Sequence, residues 1–239
     1  MKKQIVFIVF ILVTLSSKVN AQKWGGGIDA KRFDINYIFK YVSSELKILK
    51  TPDWNKLSSE TDVQDFKSIS APVTGGAGLG IPIRMRVAEH VDLRFSPGVL
   101  FSTYKVNYAF KDPDLETELK EYNTSIAEFP LGFRLKSDRL NNVRAFMMGG
   151  LKYSFDWSSS KKKTNDDNVG INKNLLYKKN FLSYEAGLGM EIYFEYFKLS
   201  PEFKMSYSIN DMIKREGNAF DRPLERAKLR QFTFTLYIE

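Results

Sequence analysis

Few residues of this chain carry side chains suited to covalent chemistry. Among 239 residues there is one histidine, His90, and no cysteine. A Ser-His-Asp relay or a multi-histidine metal centre therefore has little to build on. Disulfides and a lipid-modified cysteine are excluded. His90 lies in Ala88-Glu89-His90, between two apolar runs, and reads as a solvated turn residue. Gly76, Gly78 and Gly80 suggest a phosphate loop, but no Lys-Ser/Thr ending and no helical period follow them. Lys161-Lys162-Lys163 with Asp166-Asp167 reads as a solvated loop rather than a site for lipopolysaccharide phosphates or a cation. What remains is a set of charges at alternate positions: Arg84, Arg86, Asp92, Arg94, Glu128, Arg134, Arg144, Lys152, Asp156, Glu185, Glu191, Glu202 and Lys204. The signs nearly balance, and the chemistry open to such a set is ion pairing. No catalytic, cofactor-binding or metal-ligating residue is predicted, and an enzyme is not expected.

The elements that position these charges have a period of two. From Ala127 the chain alternates Ala127, Phe129, Leu131, Phe133 and Leu135 with Glu128, Pro130, Gly132, Arg134 and Lys136. After the polar turn Ser137 to Asn142, Val143 to Trp157 alternates in the same way. That periodicity marks strands with chemically different faces, joined as a hairpin. The arms approach the 9–11 residues that cross a bilayer on a tilt. Their apolar faces end in Tyr153, Phe155 and Trp157, as an interfacial aromatic girdle would.

The same alternation predicts six further strands. They lie at Phe33–Val42, Gly76–Val87, Val91–Tyr108, Leu182–Phe194, Phe197–Ser208 and Gln231–Ile238. In the third of the eight, Tyr104, Val106 and Tyr108 change parity, which predicts a bulge near Ser102 to Tyr104. The connections alternate long and short. The long ones are expected at Ser43–Ile69, with Trp54 isolated in it, then Lys111–Asn123, Ser158–Asn180 and Asn210–Lys228. Eight strands, short turns on one side and long loops on the other match an outer-membrane barrel with external long loops. The sequence thus predicts an all-β fold, an eight-stranded antiparallel up-and-down transmembrane β-barrel over residues 32–239. A soluble lipocalin-like barrel, with hydrocarbon inside, is the competing architecture. Seven strands in phase favour lipid outside, since so small a lumen hardly holds the bulky set.

On this arrangement the charged set faces a lumen that side chains just fill, and buried charges must pair. The expectation is an ion-pair network that plugs the lumen, with a narrow pore or proton path as the functional alternative. Pro82, Pro97, Pro130 and Pro201 all fall in strands at similar distances from the short turns, suggesting a belt where the sheet bends.

The first 21 residues read as a secretory signal peptide. Lys2 and Lys3 precede an apolar run, Ile5 to Leu15, and Val19-Asn20-Ala21 fits a cleavage site. Residues 22–31, with Gly25-Gly26-Gly27, are expected to form a short periplasmic arm. The chain carries 36 Lys+Arg and 28 Asp+Glu. Removing Lys2, Lys3 and Lys18 leaves 33 against 28, a modest +5. Export and the scattered basic residues exclude nucleic acid as the expected partner, and no small-molecule substrate is implied.

The chain resembles the PorT family (also called SprT) of small outer-membrane barrels of the type IX secretion and gliding machinery. The residues that carry this are Glu128-Phe129-Pro130-Leu131-Gly132-Phe133-Arg134, Ser137 with Arg139, Asn142-Val143-Arg144 and Gly149-Gly150-Leu151-Lys152-Tyr153. Phe197-Lys198-Leu199-Ser200-Pro201-Glu202 and Thr235-Leu236-Tyr237-Ile238-Glu239 agree with it. Ile238 stands where the family usually has an aromatic residue. The resemblance implies residence in the Gram-negative outer membrane and a non-enzymatic accessory role in protein export. It implies contacts with membrane lipid and with other envelope proteins of the secretion machinery, and it supplies no catalytic or cofactor residues. A stand-alone barrel that binds lipid, ligand or host surface through its external loops is the alternative.

Overall fold

The computed structural model describes residues 31–52, 54, 66–110, 118–158, 176–215 and 222–239. The expected signal segment, nearly all of the arm 22–31 and the Lys161–Asn168 run lie outside the described residues. The strands, in chain order, are β1 Phe33–Ile35, β2 Tyr37–Lys50, β3 Phe66–Ser70, β4 Thr74–Gly80, β5 Ile83–Ala88, β6 Val91–Phe95, β7 Gly98–Phe110 and β8 Glu118–Lys136. They continue with β9 Val143–Asp156, β10 Leu176–Tyr177, β11 Asn180–Tyr193, β12 Lys198–Ser208, β13 Ile213–Lys214 and β14 Leu224–Ile238. Among the described residues no helix is long and apolar enough to cross a membrane.

The pairings close a ring. β8, β9, β11, β12, β14 and β2 are neighbours in turn, all antiparallel. From β2 the ring returns to β8 through β4 and β7. The short segments β1, β5 and β6 continue β2, β4 and β7 toward the short-turn end and pair in the same order, β1–β5–β6–β8. Counting each broken pair as one, the ring has eight strands with no open edge, the form in which a sheet satisfies its backbone in lipid.

The breaks share one cause. Two of the four prolines do not sit within a strand: Pro82 separates β4 from β5, and Pro97 separates β6 from β7. Their carbonyls, and that of Pro130, accept from the adjacent strand: Asn36 N–H to Pro82, Ile81 N–H to Pro97 and Ser96 N–H to Pro130, each at 3.0 Å. Proline donates nothing to the ladder, so regular pairing lapses there while the acceptors remain in use. Pro82, Pro97 and Pro130 therefore mark one height on three neighbouring strands of the ring, and Pro201 lies apart from them on β12. Around Pro201 the β11–β12 ladder passes from Gly189↔Glu202 to Ile192↔Leu199, skipping the positions beside it.

Alternation holds throughout and decides which face looks out. Phe33, Ile35, Tyr37, Phe39 and Tyr41 are exposed, as are Phe129, Leu131, Phe133, Tyr153, Phe203 and Phe232. Arg84, Asp92, Arg94, Glu128, Arg134, Lys152, Glu185, Glu191, Glu202 and Lys204 point into the ring and are buried. This is the reverse of a lipocalin. Glycines let the walls approach: Gly132 and Gly150 are cross-strand partners. A Cβ on Gly150 would lie 2.5 Å from the Gly132 Cα.

Several local expectations are corrected. The first strand does not end at Val42 but runs on to Lys50, and Phe66–Ser70 within the expected loop is a strand. The cross-strand partner of β2, β14, begins at Leu224, not Gln231, and holds the polar residues of β2 in register up to Leu224↔Lys50. β8 likewise begins at Glu118, inside the expected loop 111–123. Within the other two loops Leu176–Tyr177 pairs with Ile213–Lys214 as a small external sheet. Trp54 is not isolated: it packs against the core, with the Lys50 ammonium 4.4 Å from its ring centre.

The last concerns the bulge near Ser102 to Tyr104. The β7–β8 register runs unbroken from Gly98↔Glu128 to Tyr108↔Glu118. Tyr104, Val106 and Tyr108 keep the inward parity and are buried. The hydrophobicity changes face because the inside of the barrel changes character. At the long-loop end Val42, Leu46, Leu100, Tyr104, Val106, Tyr108, Ile126, Phe181, Met212, Ile213, Leu224, Ala227 and Leu229 form an apolar cluster inside the ring. Above the hydrocarbon, a barrel buries apolar residues inward like any soluble protein. Ile126→Val in this cluster is expected to cost about 0.5–1.5 kcal/mol of unfolding free energy by urea titration in micelles.

Candidate functional site: the filled lumen

Below the apolar cluster the lumen holds a chain of alternating charges contributed by almost every strand. At the short-turn end Arg94 pairs with Glu239, whose other oxygen lies 2.5 Å from Lys198 Nζ. Lys198 reaches Glu191 at 3.2 Å, and Glu191 reaches Arg134 at 3.4 Å. Arg134 also holds Glu202 at 2.8 Å. From Glu202 the chain passes to Lys204 at 3.8 Å, then to Glu185 at 3.4 Å. Lys152 bridges Glu185 at 3.4 Å and Glu128 at 3.0 Å, and Lys40 ends the run 2.5 Å from Glu128. Tyrosines donate into it, Tyr193 to Glu191 at 2.8 Å and Tyr237 to Glu202 at 3.0 Å. The Arg134 guanidinium lies over the rings of Phe146 and Tyr237, 3.7 and 4.8 Å from their centres. A second group pairs Asp92 with Lys136 at 2.9 Å and with Arg84 at 4.0 Å, and Arg84 with Asp34 at 3.5 Å.

Of the residues singled out by alternation, Arg84, Asp92, Arg94, Glu128, Arg134, Lys152, Glu185, Glu191, Glu202 and Lys204 lie buried within these two groups. Asp156 is buried nearer the long-loop end, where it accepts from the backbone N–H and hydroxyl of Ser158 at 2.9 and 2.6 Å. Arg86 and Arg144 are half-buried. Sequence reasoning passed over Asp34, Lys40, Lys136, Lys198 and Glu239 as members. Their parity was the available signal: each alternates with an outward apolar residue, as Glu239 does with Ile238. His90 does not join the network but bonds to Asp138 at 2.9 Å in the exposed turn region.

Strict alternation is what makes the arrangement tenable. An unpaired charge in a dry lumen costs several kcal/mol, and each group here has an opposite neighbour on another strand or its own. The gap left among Arg94, Arg134, Glu185, Glu202, Lys204 and Tyr237 is about 10 Å³, room for one water at most. A much larger concavity, about 740 Å³, lies on the outward wall among Tyr41, Leu188, Phe203, Met205, Phe232 and Phe234. It belongs to the apolar face and not to the lumen. Among the described residues no cluster of His, Cys, Asp or Glu has the form of a metal site.

Comparison with solved structures returns small outer-membrane barrels at low identity. OprG of Pseudomonas aeruginosa is 13% identical, with a TM-score of 0.46, over 86% of this chain and 92% of that one. Neisserial surface protein A is 9% identical, with a TM-score of 0.43, over 87% and 99%. Ail of Yersinia pestis is 9% identical, with a TM-score of 0.33, over 86% and 97%. No curated protein sequence matches the chain. The family model for the outer membrane protein beta-barrel domain matches residues 54–214. With a closed ring, apolar residues outside and paired charges within, the chain belongs to the outer membrane β-barrel domain family and resides in the outer membrane of a Gram-negative cell.

Proposed function

We propose that this protein is a non-enzymatic, non-conducting component or assembly scaffold of the type IX protein secretion machinery. It acts by contact with other envelope proteins and not as the conduit. The observation that carries this is the filled lumen. The ion-paired chain occupies the membrane-embedded part, the apolar cluster closes the long-loop end, and about 10 Å³ is left beside Arg134. Neither a folded cargo nor a hydrated ion fits that space. The link to secretion is supported by the PorT-like motifs, six of whose charged members, Glu128, Arg134, Lys152, Lys198, Glu202 and Glu239, sit in the lumen chain. On this reading the motifs hold the scaffold together. Contact surfaces then fall to the external sheet of β10 and β13 and to the arm and loops outside the described residues, since rigid scaffolds present function on connections.

Pure protein in planar bilayers is expected to show no stable channels. A null strain is expected to retain secretory cargo, while His90→Ala secretes normally. Large stable conductance, or normal export without the gene, overturns the proposal. A second reading is a stand-alone barrel that binds lipid, ligand or host surface at its external end. A basic surplus on the outward wall favours it.

A further inference from the structure

We propose that the outward wall where β2, β12 and β14 meet binds a phosphorylated glycolipid of the outer leaflet, of the lipid A class, head upward and acyl chains down. The inference rests on the chain being an outer-membrane barrel with its long loops external, and not on the secretion role. Two features, one above the other, carry it.

The upper feature is a surplus of cations. Beyond Ser43↔Phe232, the outward pairs of β2 and β14 are Glu45↔Arg230, Lys47↔Lys228 and Leu49↔Arg226. Four cations thus share one carboxylate. Glu45 accepts from Lys47 at 2.6 Å and from Arg230 at 2.5 Å. Arg226 and Lys228 make no ion pair among the described residues, and Glu225, in the bulge between Leu224 and Arg226, reaches neither. Lys47 and Lys228 stand directly opposite each other, a like-charge pairing that destabilises a ladder unless an anion sits between. Lys47, Leu49, Tyr207, Arg226 and Lys228 line an open recess of about 350 Å³. The surplus is not a general property of this height. Further round the ring, on the far side of β4, the corresponding outward pairs of β7 and β8 are Thr103–Asn123, hydrogen-bonded at 2.9 Å, and Lys105–Glu121, paired at 3.0 Å.

The lower feature is apolar. Toward the membrane from the recess lies the 740 Å³ concavity whose walls include Tyr41, Phe203, Phe232 and Phe234 of the same three strands. It extends toward β11 and β9, through Ala186, Leu188 and Met147, and Ala186 stands opposite Gly149 on the outward face. A cationic recess above an apolar groove, with aromatic residues at the junction, matches an amphiphile with an anionic head. At the external boundary of a Gram-negative outer membrane that amphiphile is a phosphate-bearing glycolipid. Arginine and lysine bind phosphate through charge-assisted hydrogen bonds, and a free lipid headgroup brings the anion this wall lacks.

The test titrates fluorescent bis-phosphorylated lipid A into the folded full-length barrel in micelles. Comparators are the same lipid with its phosphates removed and inorganic phosphate as competitor. The triple variant Lys47→Gln/Arg226→Gln/Lys228→Gln is expected to bind about tenfold more weakly or worse, and wild type should lose as much when the lipid phosphates are removed. Ala186→Trp, which fills the groove, should also weaken binding, while Lys105→Gln on β7, outside the recess, should not. Folding is checked by heat-modifiable gel migration. Should the triple variant not fold, Lys228→Gln alone is expected to weaken binding several-fold. Equal binding by wild type and the charge variants, or equal binding of the dephosphorylated lipid, overturns the proposal. Displacement by millimolar inorganic phosphate also overturns it, since that would mark a site for the free anion.

Discussion

Glu128→Ala is expected to lower the unfolding free energy by about 3–5 kcal/mol, measured by urea titration of the refolded barrel in detergent with tryptophan fluorescence. Glu128 is buried and lies 2.5 Å from Lys40 and 3.0 Å from Lys152. Lys152 keeps Glu185 at 3.4 Å and Gln231 at 2.8 Å, so its loss is partial. Lys40 has only Glu128 as a carboxylate partner among the described residues, and its buried ammonium would be left without a counter-charge. Most of the cost is therefore the unpaired charge and not the lost contact. The double variant Glu128→Ala/Lys40→Met should recover much of the deficit, because removing both partners of a buried pair is far cheaper than removing one. Lys105→Ala, which breaks the half-exposed pair with Glu121, should change stability by about 0–1 kcal/mol. A double variant no more stable than Glu128→Ala would show that desolvated charge is not what binds these strands.

Arg134→Ala is expected to cost a similar amount, about 3–5 kcal/mol, for a different geometric reason. The guanidinium reaches Glu191 on β11 and Glu202 on β12 while lying over Phe146 on β9 and Tyr237 on β14. One side chain from β8 thus ties four other strands together across the lumen. Removing it takes one cation from each of two buried carboxylates, Glu191 and Glu202, and opens a void. Arg134→Lys keeps the charge but not the planar fork or the ring stacking. It should fall between wild type and alanine in urea midpoint, with unchanged heat-modifiable migration. Wild-type stability in the lysine variant would mean that only the net charge matters at this position.

Much of this architecture was legible because a strand writes its two faces into alternate residues. Phe129, Leu131 and Phe133 against Glu128, Gly132 and Arg134 state which side meets lipid before any coordinate is known. Alternation failed where the solvent changed. On β2 the outward residues pass from Tyr41 to Ser43, Glu45 and Lys47, so the strand seemed to end at Val42, though it continues to Lys50. On β7 the inward residues pass from Ser102 to Tyr104, Val106 and Tyr108, which imitates a bulge. Both are one event: the wall leaves hydrocarbon, and the apolar residues move from outside to inside without any change of register.

The sequence by itself determined the fold class, the number of ring strands, the outward apolar wall and most of the inward charges, because a period of two is a local property. Only the tertiary structure decided who pairs with whom. Arg134 meets Glu202 and Lys40 meets Glu128 across 68 and 88 positions of chain. Such partners are set by the stagger with which the sheet closes on itself. The same closure brought Lys47 of β2 opposite Lys228 of β14 and set both above an apolar groove. No local pattern contains that juxtaposition, since each strand carries only half of it.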